Sequence, residues 1–63
     1  MTGKTIKDAR ERAGMTQSQL AQEIGISVEA VRAYEQGRND INRASYDKVI
    51  KIIKLLGIDP EEF

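Results

Sequence analysis

The sequence predicts an all-α fold, a compact bundle of four to five short helices. Apolar residues recur with the 3.6-residue period of amphipathic helices, and no segment shows the alternation typical of a β-strand. Four of the five glycines follow these periodic segments, where a residue in the left-handed conformation commonly ends a helix. The fold class therefore follows from the apolar period and from the positions of the glycines.

The predicted helices occupy, in chain order, residues 4–13, 17–24, 28–36 and 43–56. In each helix the apolar positions fall at helical spacing, so we expect them to face one shared core. These positions are Ile6, Ala9 and Ala13; Leu20, Ala21 and Ile24; Val31 and Tyr34; and Tyr46, Val49, Ile50, Ile53 and Leu56.

Helix starts are marked by residues that cap free backbone amides. Thr16 is followed three residues later by Gln19, the spacing of a capping box, and Ser27 precedes the third helix. Asn42 is the predicted cap of the fourth helix. Near the end, Asp59 followed by Pro60 predicts the start of a further helix.

Composition narrows the possible functions. The 63 residues form one domain at most, which leaves no room for a large enclosed active site. Cysteine and histidine are absent, so disulfides, thiolate zinc sites and the usual general base are excluded. An enzyme is the weakest interpretation, and no cofactor is expected. Apolar runs never exceed two residues and a signal peptide is not evident, so we expect a cytoplasmic protein without a membrane span.

Charge is balanced overall but is unevenly distributed. Ten Lys and Arg residues equal ten Asp and Glu residues. Through Leu56, however, ten cations stand against seven anions, and the last seven residues add the three remaining acids, Asp59, Glu61 and Glu62. A net charge of zero therefore does not exclude a locally basic face that binds a polyanion.

Residues 17–36, "QSQLAQEIGISVEAVRAYEQ", have the pattern of two short helices joined by a tight turn. Ala21 is small where the helices approach, Gly25 suits a left-handed turn, and proline is absent. This segment closely resembles the helix-turn-helix of the Cro/C1 (XRE-like) family of phage and bacterial repressors. The resemblance extends over nearly the whole chain and includes "MTQSQLAQEIGIS" and "IIKLLGIDPEEF".

The resemblance implies a lambda-repressor-like domain over residues 1–63 that binds double-stranded DNA and regulates transcription, as a repressor. In this docking mode the second helix of the motif, here residues 28–36, enters the major groove with its N-terminal end. The residues expected to read bases are Ser27, Val28, Glu29, Arg32 and Ala33. The residues expected to contact phosphates are Gln17, Gln36, Arg38, Asn39 and Arg43.

The side-chain types suggest how the bases would be read. Glu29 could accept from a cytosine amine, and Val28 or Ala33 could contact a thymine methyl group. Arg32 could form paired hydrogen bonds with guanine or reach a phosphate. For each of these positions, an exposed helix residue without a role is the alternative.

Two further expectations follow from the resemblance. Arg10 and Glu35 are expected to form a partly buried structural salt bridge between the first and third helices, since guanidinium and carboxylate groups pair in a bidentate fashion. Leu55, Ile58 and Phe63 could form a dimer patch, because these repressors commonly bind pseudo-palindromic sites as homodimers. A protein-interaction module of antitoxin or bridging type remains the alternative function, since fold alone does not fix function.

Overall fold

Five helical elements make up the part of the chain that the computed structural model describes, residues 1–59 and 61. In chain order they are α1 (Gly3–Arg12), α2 (Gln17–Ile24), α3 (Val28–Glu35), a 3-10 helix (Ile41–Arg43) and α4 (Tyr46–Leu56). No strand occurs among the described residues, so the predicted all-α class is confirmed. None of the described helices is long and apolar enough to cross a membrane.

Side chains cap the helices where the sequence predicts it. Thr16 Oγ1 accepts from the Gln19 amide at 3.0 Å, and Gln19 Oε1 accepts from the Thr16 amide at 2.8 Å, which completes the capping box. Ser27 Oγ accepts from the Ala30 amide at 3.1 Å. Between these helices Gly25 ends α2 with a φ of +84°, a conformation that is strained for residues with a Cβ.

The beginning of the fourth helix differs from the prediction. The sequence predicted one helix over residues 43–56 with Asn42 as its cap, whereas α4 begins only after a different cap, Ser45. The segment from Ile41 to Arg43 forms the separate 3-10 helix. Ile41 is 2% exposed and belongs to the core, so the chain turns here to bury it before α4 can start.

Two residues expected in the core, Ala13 and Tyr46, are exposed instead. Ala13 follows the end of α1 at Arg12 and therefore no longer lies on the buried face of that helix. Tyr46 is 77% exposed because α4 turns Ile52 and Leu56 toward the core. At 3.6 residues per turn, Tyr46 lies about 120° around the helix from Ile52.

Asp59 caps the described end of the chain, since its Oδ1 accepts from the amide of Glu61 at 3.0 Å. The rest of the further helix predicted there involves Pro60, Glu62 and Phe63, which lie outside the described residues.

The core lies where the four α-helices meet. α2 packs against α3, and α1 lies against both α3 and α4. The buried core residues are Met1, Ile6, Ala9, Leu20, Ala21, Ile24, Val31, Ile41, Ile52, Leu56 and Ile58. The start of α1 approaches the end of α3 so closely that a methyl group on Gly3 would overlap the Tyr34 carbonyl oxygen and lie 2.6 Å from the Glu35 carbonyl oxygen. This close approach fixes the position of α3.

Candidate functional site

The N-terminal end of α3 is open to solvent. Ser27 and Glu29 are exposed, and Val28 and Arg32 are half-buried. Val31, on the opposite side, is 2% exposed and anchors the helix in the core. Val31 therefore anchors the helix and Val28 packs partly against the core cluster, while Ser27, Glu29 and Arg32 remain accessible.

Ala33 was expected on this accessible face, and that expectation is wrong. It is only 8% exposed, although it does not belong to the main core cluster. The chain after α3 turns back on the helix, and the amides of Arg38 and Asn39 donate to the Ala33 carbonyl oxygen at 2.9 and 3.2 Å. We attribute the burial of Ala33 to this turn, which helical periodicity cannot reveal.

The structure brings Arg10 and Glu35 together as a bidentate pair. Arg10 Nε donates to Glu35 Oε2 at 2.7 Å, and Nη2 donates to Oε1 at 3.2 Å. Only 11% of the Arg10 side chain and 3% of the Glu35 side chain are exposed. Arg10 Nη1 also donates to the Met15 carbonyl oxygen at 2.8 Å. The guanidinium group thus joins α1, the turn that follows it and the end of α3.

The positive charge of Arg10 is insensitive to changes of pH near neutrality. Hydrogen bonding to Glu35 raises the pKa of Arg10 above its ordinary value, and partial burial acts in the opposite direction. Because a guanidinium is already protonated throughout the physiological range, the positive charge of Arg10 persists there.

Gln17 was expected to contact a phosphate, but in this structure its amide is engaged within the protein. Gln17 Nε2 donates to Glu35 Oε1 at 3.1 Å, and Gln17 Oε1 accepts from Arg32 Nε at 3.3 Å. Arg32 Nη1 in turn donates to Glu29 Oε1. The sequence carries no signal for this network, since Gln17 meets partners 15 and 18 residues away along the chain.

The remaining residues expected to contact phosphates lie at and beyond the end of α3, and all four are exposed: Gln36, Arg38, Asn39 and Arg43. Arg38, Asn39 and Arg43 line an open depression of about 420 Å³ beside Tyr34. Asp40 also lines the depression, and its Oδ1 accepts from the backbone and side-chain amides of Asn42 at 2.9 and 3.0 Å, so two cations stand against one carboxylate there. The segment between α3 and α4 therefore offers cations to an anionic ligand.

The expected dimer patch is smaller than predicted. Leu55 is 38% exposed, as expected, but Ile58 is only 3% exposed and belongs to the core. Left-handed Gly57 ends α4 and turns the chain inward, which explains why Ile58 is buried. Phe63 lies outside the described residues. Of the three predicted residues, Leu55 alone is seen at the surface of the described part of the chain.

Comparison with known proteins gives a family and one related protein. A helix-turn-helix family model matches residues 6–63. An uncharacterized HTH-type transcriptional regulator, y4wC, from Sinorhizobium fredii (strain NBRC 101917 / NGR234) is 33% identical over 61 residues. The match covers 97% of this chain but 41% of that relative, so the chain spans less than half of its length. No solved structure matches significantly.

Proposed function

The chain belongs to the helix-turn-helix family, and on that premise we propose that it is a sequence-specific DNA-binding domain of a transcriptional regulator. A relative that is named a transcriptional regulator supports this proposal. In the docking mode of such motifs, α2 crosses the phosphate backbone and the N-terminal end of α3 enters the major groove of duplex DNA.

The observation that carries the proposal is the exposed N-terminal end of α3 on a helix whose other end is fixed. Ser27 and Glu29 are exposed and Arg32 is half-buried, whereas Glu35 is locked to Arg10 by two hydrogen bonds. A binding face on a rigid helix loses little conformational freedom when it binds. This arrangement suits recognition of a preformed surface such as a DNA groove.

The proposed contacts divide into two groups. Ser27, Val28, Glu29 and Arg32 lie at the end of α3 that enters the groove, and Ala33 is removed from this group because it is buried. The residues that contact the backbone are Gln36, Arg38, Asn39 and Arg43, all exposed at or beyond the C-terminal end of α3. Backbone contacts of this kind set affinity and register, whereas base contacts give specificity.

The domain would bind as a homodimer and act as a repressor. Helix-turn-helix dimers bind two half-sites about 34 Å apart, so one domain would contact each half of a pseudo-palindromic site. Leu55, with Lys51, Lys54 and Glu23 beside it, is an exposed apolar position that is available for a contact between copies. Gel shifts on a half-site and on a complete site test this stoichiometry. If two domains bind one complete site, a second shifted band should form on the complete site and not on the half-site.

DNA binding itself is tested by measuring affinity for a mixed-sequence duplex at several salt concentrations. If Arg38 and Arg43 each neutralise one phosphate, together they contribute about −1.8 to the slope of log K against log salt. Arg38→Gln should make that slope shallower by about 0.9. Lys7→Gln removes the same charge from an exposed position of α1 and is the matched control, for which we expect an unchanged slope.

The competing function is a protein-interaction module, which the net charge of zero favours. The salt titration separates the two. Absence of binding to any duplex at low salt would rule out the DNA-binding proposal, because the electrostatic contribution is greatest under those conditions.

A further inference from the structure

A chain of polar contacts leads from the interior of the domain to the exposed end of α3. It begins at Glu35, whose side chain is 3% exposed, and passes through Gln17 to Arg32, whose side chain is 43% exposed. It ends at Glu29, whose side chain is 72% exposed. Arg32 is therefore held on two sides before any ligand is bound.

The chemistry of the partners fixes the orientation of the Gln17 amide. The Glu35 carboxylate has no hydrogen to donate, so the NH2 group of Gln17 must face it. The Arg32 guanidinium has no acceptor, so the carbonyl oxygen of Gln17 must face Arg32. An amide side chain can satisfy both neighbours, whereas a carboxylate would repel Glu35 and an amine would repel Arg32.

Glu29 alone would hold Arg32 weakly. An exposed ion pair between positions three apart on a helix contributes little and is weakened by salt. The second hydrogen bond, which Arg32 Nε donates to Gln17 Oε1, differs because Gln17 is itself bonded to Glu35. Glu35 is in turn held by the nearly buried Arg10. The guanidinium of Arg32 is thus kept beside the Glu29 carboxylate by a support that is anchored in the interior.

This arrangement leaves Arg32 able to donate hydrogen bonds while its charge is compensated. A guanidinium has five N–H groups, and contacts with the described residues use one on Nε and one on Nη1. Three N–H groups remain, and a bidentate bond to the O6 and N7 atoms of guanine needs two. A phosphate, by contrast, attracts mainly through charge, and Glu29 already neutralises that charge.

We propose that Glu29, Gln17 and Arg32 form a neutral base-reading unit, in which Glu29 is the counterion of Arg32 and does not itself read a base. The proposal rests on the DNA-binding function proposed above and deepens it. Arg32 then adds discrimination for a guanine without adding affinity for DNA of any sequence. Gln17 acts as a positioning residue for Arg32 and not as a phosphate contact.

The test compares Glu29→Gln with the unaltered chain on two duplexes, a site selected from random sequences and a mixed-sequence duplex. Loss of the counterion frees Arg32 to neutralise a phosphate, so the salt slope on the mixed duplex should steepen by about 0.9. Between 50 and 200 mM salt, that change corresponds to an additional loss of affinity of about 3.5-fold. The ratio of specific to non-specific affinity should fall.

Two further variants test whether the change in salt slope is specific to the pair formed by Glu29 and Arg32. Asp8→Asn removes the same charge from an exposed position of α1 and should leave the slope within experimental error of the parent. Arg32→Ala should weaken binding to the selected site about 5-fold or more and leave the slope on the mixed duplex unchanged, because a single bidentate base contact discriminates by at least that factor.

The outcomes that overturn the proposal are distinct. If Glu29→Gln leaves the slope unchanged and alters which bases are selected, Glu29 reads a base directly. If Arg32→Ala makes the slope shallower by about 0.9, Arg32 is a phosphate contact in the unaltered chain. If the unaltered chain binds no duplex even at low salt, the DNA-binding function itself fails, and that result is recognisable before any variant is made.

Discussion

Replacing Arg10 with Met should destabilise the fold more than any other exchange of a charged residue described above. The change deletes both hydrogen bonds to Glu35 and the bond to the Met15 carbonyl oxygen. It leaves a carboxylate whose side chain is 3% exposed with Gln17 as its remaining partner. Removing one partner of a buried ion pair costs about 3–5 kcal/mol.

The magnitude can be refined from the burial of the pair. The Arg10 side chain is 11% exposed, so water can reach the site once the guanidinium is gone, and we expect the lower end of the range, about 3 kcal/mol. At about 0.05–0.15 kcal/mol per residue, a domain of this length has a total stability of about 3–9 kcal/mol. Arg10→Met should therefore remove a third or more of the free energy of unfolding.

Urea unfolding followed by circular dichroism measures this loss. With a slope of about 1 kcal/mol per molar urea for so small a domain, the midpoint should fall by about 3 M, or the variant should be largely unfolded without urea. Lys7→Met changes an exposed cation of the same helix and should alter stability by less than about 0.5 kcal/mol. The double change Arg10→Met with Glu35→Leu should recover much of the loss, because no unpaired charge remains buried.

The effect of pH follows from the direction of the shift. Hydrogen bonding to Glu35 raises the pKa of Arg10 in the folded state, so the contribution of this group is present below its ordinary pKa and is lost only as pH rises through the raised value. The difference between parent and Arg10→Met should stay constant from neutral to mildly alkaline pH. A midpoint shift no larger than that of Lys7→Met would refute the reasoning, since the pair would then behave as an exposed one.

Two further changes test the packing. Gly3→Ala should lower the free energy of unfolding by about 1–3 kcal/mol and the melting temperature by at least about 4 °C, because the added methyl group overlaps the Tyr34 carbonyl oxygen. A gain in stability would mean that helix propensity outweighs this contact. Ile58→Ala should cost about 2–5 kcal/mol in urea unfolding, and Leu55→Ala less than about 1 kcal/mol, because Ile58 is 3% exposed and Leu55 is 38% exposed. Equal effects would contradict the assignment of Ile58 to the core.

Much of the local structure and the family were predictable from the sequence. The family predicted from residues 17–36 is confirmed, as are the capping box of Thr16 and Gln19 and the cap formed by Ser27. The capping box and the Ser27 cap depend on interactions between residues three apart, so the local sequence is sufficient to specify them. The bounds of α2 were predicted without error for the same reason.

Two of the errors have a different cause. Ala33 is buried and Tyr46 is exposed, although the apolar period placed them the other way round. A period of 3.6 residues gives the angle of a side chain around its own helix, but it does not say whether a neighbouring segment packs over the side chain at that angle. The turn after α3 covers Ala33, and the rotation of α4 is set by Ile52 and Leu56.

By itself the sequence determined an all-α chain and the limits of its first three helices to within a residue, because capping residues, glycines and the apolar period act over short distances. The family followed from the resemblance of residues 17–36 to a known motif. Only the tertiary structure decided that Gln17 lies between Glu35 and Arg32, so that Arg32 donates hydrogen bonds to both Gln17 and Glu29. The contacts of Gln17 join α2 to α3. They exist because α2 and α3 pack at one particular distance and angle, which no local pattern specifies.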